Sequence, residues 1–170
     1  LGLRKRVGLK LFKGLYDKVV ERHELRTLFW ECTLRCNLSC RHCGSDCRQD
    51  VAESDMPLAD FLRVLDEEVT PNTSPERVLI IFSGGEVLVR RDLEEAGREV
   101  TRRGYMWGMV TNGMGLTRER LRALVAAGLR SISVSFDGFE YAHNYIRQNP
   151  ISFDRALSAI EYIREVEGLT

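Results

Sequence analysis

From residue 27 onward the sequence alternates short apolar, β-branched runs with longer amphipathic ones, and that alternation leaves few folds open. TLFWECTL (27–34), RVLIIF (77–82), YMWGMV (105–110) and SISVSF (131–136) read as strands. PLADFLRVLDEEV (57–69), RRDLEEAGREVTRRG (90–104), TRERLRALVAAG (117–128) and SFDRALSAIEYIREVEG (152–168) read as helices. Pro57 suits a first helical turn, Thr117 and Ser152 read as N-caps, and Gly104 and Gly128 close their helices. Four β-then-α units predict an α/β fold with a parallel sheet and right-handed crossovers. A chain of 170 residues, 44% hydrophobic and 29% charged, is long enough to bury one such core.

Strand parity sorts the side chains. In the fourth strand Ser131, Ser133, Ser135 and Asp137 share one face and Ile132, Val134 and Phe136 the other. The apolar face is expected to meet helices and the polar one to look into a polar interior. In the first strand Trp30, Cys32 and Leu34 share a face opposite Glu31 and Thr33, which makes Cys32 a packed thiol rather than a ligand. Two stretches read as irregular, 35–56 and 138–151. Both begin at the C-terminal ends of strands, where parallel α/β folds bind their ligands.

The first 26 residues hold eight Lys/Arg against three Asp/Glu, a net +5, which leaves −5 for the other 144 in a chain of formal net charge zero. Leu3, Val7, Leu11, Leu15 and Val19 recur every fourth residue with Phe12 and Tyr16 beside them, predicting an amphipathic helix over 3–22. Its stripe is expected to pack against the domain; docking on a membrane surface or a partner is the other use of such a helix. Residues 1–26 thus read as a basic helix and linker, with His23 solvated, and 27–170 as a separate unit. No apolar run nears the ~20 residues of a membrane span, and lysines interrupt any signal-like stretch, so a cytoplasmic location is expected. No nucleic-acid partner is expected.

All five cysteines fall between Cys32 and Cys47, an odd number too clustered to staple distant parts of a fold. Three of them, in CNLSCRHC (36–43), form C-x3-C-x2-C. A structural zinc site needs a fourth ligand, from Cys32, Cys47, His42 or another chain. A thiol–disulfide pair at Cys40-x-x-Cys43 leaves Cys36 without a task. One helical face of inert thiols fits poorly with Asn37 and the polar flanks. A [4Fe–4S] cluster held through three irons, with the fourth open to bind something, uses all three thiols. On spacing alone, such a cluster and a zinc-stabilised α/β binding module both stay open. Cys47 carries no assignment.

CNLSCRHC resembles the cluster motif of radical S-adenosylmethionine (SAM) enzymes, with His42 in a position that is usually aromatic. The resemblance implies that Cys36, Cys40 and Cys43 hold a [4Fe–4S] cluster and that SAM chelates the open iron. It further implies that an electron from an external donor cleaves SAM to methionine and a 5′-deoxyadenosyl radical, which abstracts hydrogen from substrate. Three more segments resemble motifs of the same family, one per strand end. SGGE (83–86) follows the second strand; its glycines let the backbone approach a ligand and Glu86 offers a carboxylate. The resemblance gives Gly84, Gly85 and Glu86 the SAM ammonium group, with Val87 where proline is common. TNG (111–113) ends the third strand before a helix rather than a partner strand, which weakens a simple hairpin reading. The resemblance places Asn112 or Thr111 near SAM or substrate. SVSFDG (133–138) is similar to a Ser-x-Asp-Gly segment, implying that Ser135 and Asp137 reach the ribose or methionine end of SAM. HNYIR (143–147) resembles a His-Asp-x-x-Arg segment with Asn144 in place of aspartate, and no role is given to His143 or Arg147.

The likeness covers residues 27–168 and implies a partial (β/α)6, TIM-like barrel of which this chain supplies four units. The sequence is therefore expected to be the N-terminal portion of a longer core domain, the other reading being a degenerate member of the family. Its pattern is most similar to the peptide- and sulfatase-maturing, SPASM-type branch, which implies an oxidoreductase with a peptide or protein substrate. The fourth strand would present an open sheet edge, an invitation to self-association.

Overall fold

The computed structural model describes residues 2–45, 47, 51–52 and 54–170, and for Val19 the backbone alone. In chain order the elements are α1 (Leu3–Arg22), β1 (Thr27–Thr33), α2 (Leu58–Val64), β2 (Leu79–Gly84), α3 (Leu93–Arg102), β3 (Met106–Thr111), α4 (Arg118–Ala126), β4 (Leu129–Val134), α5 (Glu140–Arg147) and α6 (Ser152–Arg164). The strands form one sheet in the order β1-β2-β3-β4, and every pairing is parallel. Parallel neighbours cannot be joined by hairpins, so each strand returns through a helical crossover, as the alternating sequence requires.

One face of the sheet sends Trp30, Ile80, Phe82, Trp107, Met109, Leu129 and Ile132 into a core closed by Phe61, Leu65, Leu93, Val100, Leu121 and Leu124. Trp30 stacks on Phe61 at 3.8 Å and meets Phe82 edge-on, and Phe82 stacks in turn on Trp107. Each large apolar side chain withdrawn fully from water contributes about 1.5–3 kcal/mol. The opposite face, carrying Glu31, Ser83, Val110, Ser131 and Ser133, is left partly open. That polar face leads up to the site.

Strict parity fails at two bulges. The β1–β2 register skips between Glu31 and Thr33: Cys32 lies in the core with Trp30 as parity expects, but Thr33 is also buried and Leu34 is exposed. The β3–β4 register skips Arg130, so Leu129 and Ile132 both reach the core although three residues apart. An extra residue in one strand shifts every later side chain to the other face.

The stretch 138–151 is not irregular throughout: α5 occupies part of it and ends at Gln148, whose φ of 53° lies in the left-handed region. Ser152 does not cap α6 but is its first residue, its hydroxyl donating to Asn144 Oδ1 at 2.8 Å. Thr117 does cap α4, accepting from the Arg120 N–H at 3.1 Å. The expected packing of α1 is overturned. Among the described residues nothing covers its stripe: Leu3, Val7, Leu11, Phe12, Leu15 and Tyr16 are all at least half exposed, because α2, α3, α4 and α6 already close the core. The outer edge of β4 is partly met by the chain itself, since the Ile132 N–H donates to Thr170 O at 2.8 Å and the Thr170 N–H to Arg130 O at 3.1 Å. Among the described residues no helix is long and apolar enough to cross a membrane.

Candidate functional site

Loops leaving the C-terminal ends of all four strands meet around one cavity of about 250 Å3. The loop after β1 contributes Cys36, Cys40, His42, Cys43 and Cys47 to its wall. The ends of β2 and β3 contribute Ser83, Gly84, Gly85, Val110, Thr111 and Asn112, and the chain beyond β4 adds Ser135 and Arg147. Three thiols spaced over eight residues thus open on one polar space. Burial pushes the Cys36 thiol up, and the negative charge of Glu86 adds to the effect. Cys32 is apart from this group: it is fully buried in the core, and burial raises its pKa to about 12.

The two glycines are required first by the chain's own packing. Gly84 has a φ of 127°, open to glycine at little cost, and a side chain there would strike the Thr33 carbonyl. One at Gly85 would strike the Arg35 carbonyl. This close approach lets the Gly85 N–H donate to Thr33 O at 2.8 Å and the Glu86 N–H to Arg35 O at 2.9 Å. The backbone just before Cys36 is thereby laid on the end of β2, with Gly84 and Gly85 themselves facing the cavity.

The Glu86 carboxylate, expected to meet a cation in the cavity, lies between the ends of β2 and β3. Glu86 is 1% exposed and absent from the cavity wall. Its Oε1 accepts from the Thr111 hydroxyl at 2.6 Å and the Leu88 N–H at 3.1 Å, and Oε2 accepts from the Asn112 N–H at 2.7 Å. Burial pushes this carboxyl above its ordinary value, with those three donors opposing the shift. The side chain ties the ends of β2 and β3 together; the backbone before it forms the wall.

Asn112 carries that tie across to the cysteine loop. Its Nδ2 donates to Asn37 Oδ1 at 2.8 Å, and its Oδ1 accepts from the Met114 N–H at 2.9 Å. On the other flank of the same loop, Arg35 binds Asp55, and the Asp55 carboxylate also accepts from the Thr33 hydroxyl at 2.7 Å. Asp137, expected at the cavity, stands behind Arg147 and does not line the wall: its Oδ2 accepts from Arg147 Nε at 2.5 Å, while Oδ1 lies 3.5 Å from His42 Nε2. His143 is buried, its Nδ1 accepting from the Asp137 N–H at 3.2 Å. Burial, with the Arg147 charge, pushes it below the usual histidine value. Sequence reasoning left Arg147 without a role, although the HNYIR segment was the signal for it, and gave Asn37 none.

The donor set tests what the cavity can hold. One zinc ion needs thiolates about 2.3 Å from a single centre. Among the described residues no three His, Cys, Asp or Glu side chains converge closely enough to share one ion. A cluster whose irons are bound one per thiolate makes no such demand, and soft thiolates around a polar recess suit it.

Comparison with known proteins agrees with this geometry. Residues 30–168 match the model of the radical SAM superfamily. Among curated relatives, the AdoMet-dependent heme synthase of Methanosarcina barkeri is 35% identical over 143 residues, 84% of this chain and 40% of that protein. The PqqA peptide cyclase of Rhodopseudomonas palustris is 34% identical over 110 residues, 65% of this chain and 28% of that protein. The chain thus spans well under half the length of either. In fold, the Streptococcus suis SuiB structure bound to precursor peptide SuiA superposes with a TM-score of 0.70 at 15% identity, covering 85% of this chain and 31% of that one. The superfamily's cofactors are a [4Fe–4S] cluster and SAM. With a parallel βα architecture, a three-cysteine cavity at its strand ends and a family match over most of its length, this chain belongs to the radical SAM superfamily.

Proposed function

We propose that this chain is the cofactor-binding portion of a radical SAM enzyme that modifies a peptide or protein. The observation that carries the reading is the placement of Cys36, Cys40 and Cys43 on the same cavity as Gly84 and Gly85. In this reading the three thiolates hold three irons of the cluster. The backbone at Gly84 and Gly85, with Asn112 and Ser135, holds SAM; His42 closes the loop side. When bound, these groups supply one-electron cleavage of a sulfonium and a radical that removes hydrogen from substrate. The protein's part is to place the sulfurs beside the backbone at the ends of β2 and β3. Cys43 is exposed and His42 half-exposed, so the outer face of the loop is where an external electron donor would approach.

The peptide assignment is supported by the likeness to PqqA peptide cyclase and, in fold, to SuiB with its precursor peptide. A tetrapyrrole substrate is the second reading, favoured by the 35% identity to AdoMet-dependent heme synthase. An anaerobic assay of the full-length protein containing this chain separates them. Release of 5′-deoxyadenosine that rises with peptides and not with an iron porphyrin supports the first, and the reverse supports the second. No release with either, from protein loaded with iron and sulfide, refutes the function.

A further inference from the structure

The cysteine loop is stapled to the end of α5, the helix that sequence reasoning did not find. The Arg41 N–H donates to Ile146 O at 2.8 Å, Arg41 Nε donates to Tyr145 O at 3.2 Å, and the guanidinium lies 4.3 Å over the Tyr145 ring. Gln148 Nε2 donates to Ser39 O. One contact in this group touches sulfur: Arg147 Nη1 stands 3.7 Å from Cys40 Sγ. The Arg147 side chain is 12% exposed, and it engages Asp137 through a different nitrogen, Nε, at 2.5 Å. Asp137 in turn faces His42, two residues from Cys40. A largely buried cation is therefore aimed at one thiol of the run, with its counter-ion bound to the same guanidinium.

Resting on the reading of Cys40 as a cluster ligand, we propose that Arg147 is a positioning residue that fixes the Cys40 thiolate and raises the reduction potential of the cluster it holds, with Asp137 moderating its charge. Hydrogen bonds to ligand sulfurs and nearby charge are the levers by which a protein sets cluster potential. Positive charge at the sulfur favours the form carrying the extra electron. Removing the cation lowers the potential, and removing its carboxylate partner raises it. Gln148 touches no sulfur, so it places the loop without altering the field at the cluster.

The test is an EPR-monitored redox titration of the full-length protein, loaded with iron and sulfide without oxygen and titrated without SAM. Arg147→Gln is expected to shift the one-electron equilibrium about tenfold toward the oxidised form, about 59 mV downward. Arg147→Lys is expected to stay nearer the wild type, Asp137→Asn to shift upward, and Gln148→Ala to leave the midpoint in place. A merely structural role predicts lower iron content in these variants with an unmoved midpoint in the loaded fraction, and that result overturns the inference. If Arg147→Gln takes up no iron, Asp137→Asn decides: an upward shift supports the proposal and an unshifted midpoint overturns it. A wild-type cluster that responds to SAM while all variants titrate alike removes this inference alone. A wild type that binds no cluster removes it together with the functional reading.

Discussion

Replacing Gly85 with alanine tests whether the glycine pair exists to bring backbones together as well as to face a ligand. The added Cβ would stand 2.7 Å from the Arg35 carbonyl carbon, nearer still to its oxygen, and 3.1 Å from Cys47 Cβ. Ordinary contact begins at 3.4 Å, so the end of β2 and the Arg35 backbone must separate by roughly 1 Å. That stretches the Glu86 N–H to Arg35 O bond, 2.9 Å in the native chain, past hydrogen-bonding range. Losing the bond costs about 1 kcal/mol and the overpacking about 1–3 kcal/mol, so Gly85→Ala should destabilise by about 2–4 kcal/mol. Because Arg35 directly precedes Cys36, the displacement should also lower the iron retained after reconstitution. Urea denaturation and iron analysis give the two readings. Gly115→Ala is the control, since a Cβ there meets only Leu88 at 3.7 Å. A Gly85→Ala chain with wild-type urea midpoint and iron content would refute the reasoning.

Glu86→Ala leaves two backbone N–H groups and the Thr111 hydroxyl without their buried acceptor, and should cost about 2–4 kcal/mol in urea denaturation; an unchanged midpoint shows that the carboxylate does not tie β2 to β3. Asp55 carries a pH prediction. Burial alone would push its carboxyl up, but hydrogen bonds from Arg35 and Thr33 outweigh burial and hold it below the ordinary 3.8. A lowered folded-state value means stability present above the ordinary value and lost as pH falls through the folded one. The stability gap between wild type and Asp55→Asn should therefore be open at neutral pH and close in strong acid. A gap of constant size across that range contradicts the assignment.

The sheet was legible because buried parallel strands and their covering helices leave strong periodic patterns, and the three thiols because their spacing is rare. Parity failed where the backbone inserts a residue: nothing around Cys32 or Arg130 announces a bulge, so Leu34 was placed on the wrong face and the burial of Leu129 on the same side as Ile132 went unread. The helix α5 was hidden because only His143 is buried along it and no side chain caps its start. Missing α5 concealed the contact of Arg147 with Cys40, 107 residues away in sequence. The direction of Glu86 was illegible for a different reason. A carboxylate at a strand end can meet a ligand or a neighbouring strand's N–H groups, and only three-dimensional packing decides between them. The exposure of α1 follows from a core already closed by other helices, which its own amphipathic pattern does not reveal.

On the proposed reading, Cys36, Cys40 and Cys43 grip an iron–sulfur cluster that SAM can reach. The most direct measurement is the EPR spectrum of the anaerobically reconstituted and reduced protein, recorded before and after adding SAM. A [4Fe–4S] signal is expected that changes shape with SAM, persists in Cys32→Ala and is lost in Cys36→Ala, Cys40→Ala and Cys43→Ala. A signal indifferent to SAM, or one tightly held zinc and no iron in protein made in iron-rich, oxygen-free medium, would contradict it.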